Sequence, residues 1–311
     1  MHEWRLSAGA FLAIDGKVDE TFRSLYAAVG EDYKQALAES YDLDDFGVDP
    51  PYWTVGIAFE RQWKMFAFRW DLHYLAFSTD TTAVRDYYVG LFGDKISYNG
   101  RKYDHMMIPK GRKFSADFSG ALTDLLFSFT PFTLAINERV RLAPFVELGA
   151  AFAGGNFKLD AGETTGTTVY QNPPVNFAVG GNSSSFLGIG APMGGLGAKL
   201  EVGDAYATRW FLAGRFDAFT YKGSSKLFTS SSHRDKKLDI TFLDISAETG
   251  FIRPWRDKEW IFGVRYQLLD LSGSIKSKAS TKEEIIAARE RFDKDVDFST
   301  SAVTVFAGLK F

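Results

Sequence analysis

Residues 63–77 read WKMFAFRWDLHYLAF, and within them every second side chain from Phe66 through Phe68, Trp70 and Leu72 to Tyr74 is apolar. Arg69, Asp71 and His73 fall on the other side. A period of two belongs to a β-strand whose faces meet different surroundings. Residues 209–221, RWFLAGRFDAFTY, repeat it: Trp210, Leu212, Gly214, Phe216 and Ala218 alternate with Arg209, Ala213, Arg215 and Asp217. Residues 139–153 do so again, with Val140, Leu142, Val146, Leu148, Ala150 and Phe152 opposite Arg139, Arg141, Glu147 and Gly149.

Weaker alternation marks seven more strands, at Trp4–Ala13, Tyr52–Glu60, Ser115–Thr130, Pro192–Val202, Lys237–Gly250, Trp260–Leu271 and Phe298–Phe311, so the expected total is ten. At Thr123–Leu126 and at Phe242–Asp244 two adjacent residues compete for one face, and a bulge is expected at each. The connections 61–62, 131–138, 203–207 and 251–259 are short, while 14–51, 79–114, 154–191, 222–236 and 272–297 are long. Short and long alternate along the chain. In an up-and-down meander that places every long loop at one end of the sheet, with the turns and both termini at the other.

The chain has 311 residues, 45% hydrophobic and 16% aromatic, with a net charge of −3 and no cysteine. Its mean hydropathy is only −0.14. No apolar run of about 18 residues is present, so no transmembrane helix is expected. The charge balance offers no nucleic-acid partner. Without cysteine there is no disulfide scaffold or thiolate chemistry. Met1, His2 and Glu3 lead straight into patterned sequence, and the expectation is that a targeting peptide has been removed.

An even number of strands, short turns at the end that carries the termini and long loops at the other resemble the bacterial outer-membrane β-barrel proteins. The last strand carries the resemblance furthest: Val303, Val305, Ala307, Leu309 and the terminal Phe311 alternate with Thr304, Phe306, Gly308 and Lys310, similar to the aromatic-ended assembly signal of that superfamily. The resemblance implies one domain over residues 1–311, an all-β, ten-stranded antiparallel barrel in the outer membrane of a Gram-negative bacterium. Its implied partners are membrane lipid and lipopolysaccharide, the barrel-assembly machinery acting on the last strand, and a protein partner at the extracellular loops. Trp4, Trp63, Trp210, Trp255 and Trp260 fall near the short-turn end and, with Phe311, are expected to form the periplasmic aromatic girdle. Tyr52 and Trp53 would belong to the opposite one.

With apolar stripes facing lipid, the lumen would collect Arg69, Arg141, Lys199, Arg209, Arg215, Arg265 and Lys310 with Glu60, Asp71, Glu147, Glu201, Asp217, Asp239, Asp244 and Glu248, and His73 beside Asp71. Seven positive groups against eight negative ones in a narrow space should pair. A barrel of about eight strands is nearly filled by its own side chains and about sixteen leave an aqueous channel, so ten allow at most a slim conduit. The expected function is therefore a non-enzymatic barrel, either a narrow passive channel or a surface-binding, complex-forming barrel with a largely plugged polar lumen.

Helices are expected in two loops. Asp15 is placed to cap one carrying Val18, Phe22, Leu25, Tyr26 and Val29, part of a helical lid near 16–40, and Thr281 with Glu284 forms a capping box for another over 281–292. The first loop is strongly acidic, whereas the second carries Arg85, Lys95, Arg101, Lys102, Lys110, Arg112 and Lys113, so the two should attract across the mouth. The Gly-, Ser- and Asn-rich stretch Ala161–Ile189 reads as a mobile loop or an external hairpin extension.

No cofactor site is read. The acidic group Asp42, Asp44, Asp45 and Asp49 lacks the glycine and final glutamate of a calcium loop, and no pair of His2, His73, His105 and His233 has metal-ligand spacing. Asp71 and His73, on the lumen face near the outer end of their strand, are similar to the Asp-x-His element of omptins, ten-stranded outer-membrane proteases acting at the barrel lip. That resemblance implies proteolysis as the alternative function, with Asp71 orienting His73 as general base. The upstream Asp-x-Asp pair of that family has a counterpart only in the loop residues Asp42 and Asp44.

Overall fold

The computed structural model describes residues 1–24, 37–90, 96–98, 101–103, 105–168, 175–204, 206–224, 236–277 and 290–311. Ten long strands form the wall: β1 (His2–Ser24), β2 (Tyr52–Trp63), β3 (Phe66–Thr82), β4 (Lys113–Phe129), β5 (Val140–Thr168), β6 (Val175–Val202), β7 (Arg209–Ser224), β8 (Lys236–Trp255), β9 (Lys258–Ser277) and β10 (Glu290–Lys310). Each pairs antiparallel with the next. The ring closes where β1 meets β10, from Glu3↔Lys310 to Ser24↔Glu290. At the seam His2 and Phe311 exchange two backbone hydrogen bonds of 2.8 Å.

The register fixes the shape of the tube. From Thr54, stepping through Gly9, Thr304, Arg265, Glu248, Ala213 and Lys199 arrives on β5 at Ala143. Stepping the other way, through Leu75 and Gly120, arrives at Gly155. The two ends differ by 155 − 143 = 12 residues, the shear of the barrel. With about 3.3 Å rise per residue and about 4.8 Å between strands, ten strands at that shear tilt by roughly 40° around a tube of roughly 10 Å radius.

The apolar stripes face outward. Phe66, Phe127, Val146, Leu196, Phe216, Phe262 and Val305 are all exposed, and Leu148 reaches 72%. At the turn end Trp4, Trp63, Trp255 and Phe311 are exposed, and Trp210 and Trp260 half-buried. Arg61 lies 4.7 Å over the Trp63 ring and Arg256 5.3 Å over that of Trp255. Trp53, 81% exposed, marks the opposite edge. Trp53 to Trp63 along a tilted strand spans roughly 25 Å, the height of the apolar band of an outer-membrane barrel. A closed barrel with this exterior satisfies its backbone internally and presents only apolar surface to hydrocarbon, so the solvent of the belt is lipid. Tyr52 departs from expectation: it points inward and stacks on Phe77, 4.4 Å between centroids, as alternation with the outward Trp53 requires.

The expected loop helices are corrected. Residues 16–24 continue β1 and residues 37–42 form a strand (Leu37–Asp42) on its free edge, while residues 25–36 lie outside the described residues. Val18 and Phe22 satisfy period two as well as a helical spacing, and the neighbouring β10 offers ladder partners through Ser24, which outweigh weak helix propensity. Only a short 3-10 turn, Leu43–Phe46, follows. Glu290, Arg291 and Phe292 belong to β10, and 281–289 lie outside the described residues. The stretch after Ala161 is a hairpin extension, β5 pairing with β6 as far as Thr168↔Val175.

Neither expected bulge exists. Register runs unbroken through Thr123–Leu126 and Phe242–Asp244, and the shifts fall instead at Phe11/Ala13, Asp160/Glu163 and Ala135/Asn137. The adjacent apolar residues split between faces: Leu125 faces lipid, while Leu126 and Phe242 enter a lumen cluster with Ala151, Met193 and Leu269. Above the belt, Phe46, Val48, Ala83, Tyr87, Ile108, Phe114, Ala116 and Leu159 make a second core.

Candidate functional site

The lumen-facing positions of the ten strands carry the charge, and the structure gathers it into tiers. The carboxylates of the middle tier are buried. Asp71 on β3 lies 2.5 Å from Arg69 Nη2 and 3.0 Å from Arg265 Nη1. On the other side, Arg215 of β7 reaches Asp217 at 2.9 Å, Asp244 of β8 at 3.0 Å, Glu147 of β5 at 3.4 Å and Asp124 of β4 at 3.9 Å. Gln267 Nε2 adds a 2.9 Å hydrogen bond to Asp244. Asp217 and Asp244 are wholly inaccessible. Charges this deep hold only as long as they are paired, since removing one partner costs about 3–5 kcal/mol.

A lower tier faces the turn end of the barrel. Arg5 donates to Glu3 and, at 3.0 Å, to Glu248, and its guanidinium lies 4.8 Å over the Phe306 ring. Glu60 sits opposite Glu3 in the register. Lys199 pairs with Glu201 at 2.9 Å, Arg209 with Glu259 at 2.7 Å, and Lys310 approaches Glu259 at 3.9 Å. Phe211, Ile252, Ile261 and Phe306 pack into a small apolar cluster between the Arg209–Glu259 pair at the foot and the Arg5–Glu248 pair.

Two expected members of the network stand apart. Arg141 is exposed at the foot of β5. Asp239 is corrected: with no bulge at 242–244 it shares the outer face of β8, beyond the belt, where it pairs with Lys222 at 3.2 Å. Sequence reading missed Glu3, Arg5, Asp124, Glu259 and Gln267. Glu3 and Arg5 alternate with Trp4 and Leu6 and were legible by the same period, whereas Asp124 was hidden by the bulge assigned beside it.

His73 is half-buried in the middle of the barrel, beside a cavity of about 20 Å³ also lined by Thr54 and Gln267. That is room for a single water. The expectation that Asp71 and His73 lie near the outer end of their strand is corrected, because β3 continues to Thr82, roughly 30 Å of strand beyond His73. Asp71 is committed to its two arginines, and among the described residues no hydrogen bond joins it to His73.

Above the belt, the first and second loops meet through polar contacts around an apolar core, none of those described being an ion pair between an acidic residue of the first and a basic residue of the second. Arg85 donates to the Ser40 carbonyl and lies 4.5 Å over the Tyr87 ring. Tyr87 Oη donates to Asp45 Oδ1 at 2.9 Å, and Phe46 rests 6.1 Å from Phe114, edge to face. Burial and the Asp45 carboxylate together push the Tyr87 phenol up to about 12.

No protein-family model matches the sequence, and no curated protein matches it. Among solved structures the chain is similar to the outer membrane protease OmpT from Escherichia coli, at 9% identity over 97% of this chain and 95% of that one, with a TM-score of 0.39. It is also similar to the toluene transporter TodX of Pseudomonas putida, at 10% identity over 100% and 90% with a TM-score of 0.24, and to a FadL homologue of Pseudomonas aeruginosa, at 9% over 99% and 90% with a TM-score of 0.21.

Proposed function

We propose that the protein is an integral outer-membrane barrel with a closed lumen, which acts by binding at its extracellular extension rather than by conducting solutes or by catalysis. The observation that supports this reading is the filling of the tube. Ion pairs around Arg209 and Glu259, an apolar cluster around Phe211 and Ile261, the buried ion pairs of Arg5, Arg215 and Arg265, an apolar layer around Phe242 and Leu269, and a core around Tyr87 and Ile108 succeed one another along the axis. Neutralised carboxylates offer a permeating ion no continuous file of water, and a mid-barrel His73 leaves a peptide no room to approach. The strands carried beyond the belt hold a packed, ordered surface outside the cell, which suits a protein partner.

In this reading the outward stripes contact lipid and lipopolysaccharide, and Val303, Val305, Ala307, Leu309 and Phe311 are the handle for the barrel-assembly machinery. Planar-bilayer recording tests the central claim. Purified protein is expected to give a silent bilayer; discrete conductance steps that change when Asp71 or Arg215 is neutralised would replace the closed barrel with a channel.

A further inference from the structure

The middle tier does not balance. Asp71, Asp124, Glu147, Asp217 and Asp244 are each at least nine-tenths buried, and the guanidinium groups that meet them are Arg69, Arg215 and Arg265. Asp71 takes Arg69 and Arg265, so four carboxylates converge on Arg215. Among the described residues no other cation lies within 4.0 Å of those four. This tier lies at mid-belt, where lipid surrounds the wall and unmatched charge is least tolerated.

Two geometric details single out particular carboxylates of the tier. Glu147 and Asp217 flank the same residue, Gly195, in the register of β5, β6 and β7. A Cβ at position 195 would lie 2.1 Å from Asp217 Oδ1, so the Asp217 side chain occupies the space the glycine leaves, leaning toward Glu147. Both carboxylates approach one atom, Arg215 Nε, at 3.4 and 2.9 Å. Neither approach is a hydrogen bond: Arg215 Nε and Nη1, Glu147 Oε1 and both Asp217 oxygens are all buried without a hydrogen-bond partner, and only a proton between the two carboxyl groups gives their facing oxygens a donor. Independently, Asp124 is buried with Oδ1 unpartnered, and its Oδ2 reaches only the 3.9 Å contact with Arg215.

We propose that this tier is a buried proton-binding site, in which Glu147 and Asp217 share one proton across Gly195 and Asp124 carries a second. The O–H of one carboxyl donates to the carboxylate of the other, leaving the pair with one negative charge. With Asp124 neutral, that pair, Asp71 and Asp244 supply three negative charges against the three of Arg69, Arg215 and Arg265, and the tier is neutral. Above the tier lie His73 and Gln267, and below it Arg5 with Glu3 and Glu248, Glu60, and Lys199 with Glu201; that lower group holds more carboxylates than cations and so supplies the tier no positive charge. A metal ion is the less suited occupant, since among the described residues no three carboxylates or histidines converge to hold one. The inference stands whether or not the lumen conducts.

Infrared spectroscopy of the whole protein in detergent micelles tests it. At neutral pH the surface carboxylates are ionised, so a carbonyl band of protonated carboxyl, shifting in heavy water, reports the tier. The expected result is a band in wild type equivalent to two carboxyls, about half lost in Asp124→Asn, about half lost in either Glu147→Gln or Asp217→Asn, and wholly lost on alkaline titration. A folded wild-type barrel with no such band at neutral pH overturns the proposal. So does a band that emerges only when sodium is withdrawn, which would make the bound charge a metal cation. Because wild type alone decides between these outcomes, a variant that fails to fold leaves the test intact.

Discussion

The part of the barrel inside the lipid belt and the part above it fill the same tube in opposite ways. Within the belt, Leu125 and Phe127 of β4 and Val146, Leu148 and Phe152 of β5 face outward, and the lumen holds Asp124 and Glu147. Above it, on the same two strands and without a change of wall, Phe114, Ala116, Leu159 and Ala161 face inward and are buried. Lipid takes the apolar face where lipid is outside, and water takes the polar face where water is outside. Each strand therefore changes the phase of its hydrophobic alternation at the membrane boundary while its backbone register continues. The paired apolar neighbours Phe242 and Leu243 accompany that change and need no bulge.

The contrast sets the size of what each region loses on mutation. The largest loss is expected for Arg215→Leu, which strips four buried carboxylates of their common partner: about 3–5 kcal/mol, read by urea unfolding in micelles with a shift of the unheated band on gels. Ile108→Ala in the wholly buried core above the belt should cost about 2–4 kcal/mol. Its signature differs, since limited proteolysis should cut the extension while the belt keeps its heat-modifiable band; loss of both together would mean the two regions unfold as one.

Glycines on the two faces sharpen the comparison further. Gly195→Ala drives a methyl into Asp217 and the Phe216 carbonyl, 2.1 Å from each, and is expected to cost about 1–3 kcal/mol. Gly214→Ala meets nothing within 4 Å and should stay within about 0.5 kcal/mol of wild type in the same unfolding assay.

Tyr87→Phe removes the hydrogen bond to Asp45 and should lower the stability of the extension by about 1 kcal/mol. Its pH dependence has a defined sign. The folded phenol titrates near 12 against an ordinary 10.0, so its contribution is complete below 10.0 and is lost as pH rises toward 12. Proteolysis of the extension should accelerate over that window in wild type, and less in Tyr87→Phe; equal acceleration in both would place the alkaline sensitivity elsewhere. Smallest of all is Lys222→Ala, whose ion pair with Asp239 holds a side chain 74% exposed and should shift stability by less than about 0.5 kcal/mol.

Much of this was legible in residue order. Period two at Phe66–Tyr74 and at Trp210–Ala218 marks the strands, and the alternation of short and long connections sets the meander and the end at which the termini lie. The lumen charges at Arg69, Asp71, Arg215 and Asp217 follow from the same count, because alternation is a local property of the extended chain. Local spacing misled where neighbours in space override it. Residues 16–24 read as a helix until a paired β10 supplied their ladder, and Asp239 was assigned to the lumen by a bulge that unbroken pairing on both sides of β8 excludes.

What residue order determines, then, is which side chains share a face and how many strands the chain supplies, since both depend on contacts a few residues long. The tertiary structure alone decides the shear of 12, the pairing of Asp71 with Arg265 across 194 residues, and the convergence of four carboxylates on one arginine. Those follow from closing the sheet into a ring. Closure brings distant strands to one narrow axis, and only there does it become defined which charge meets which.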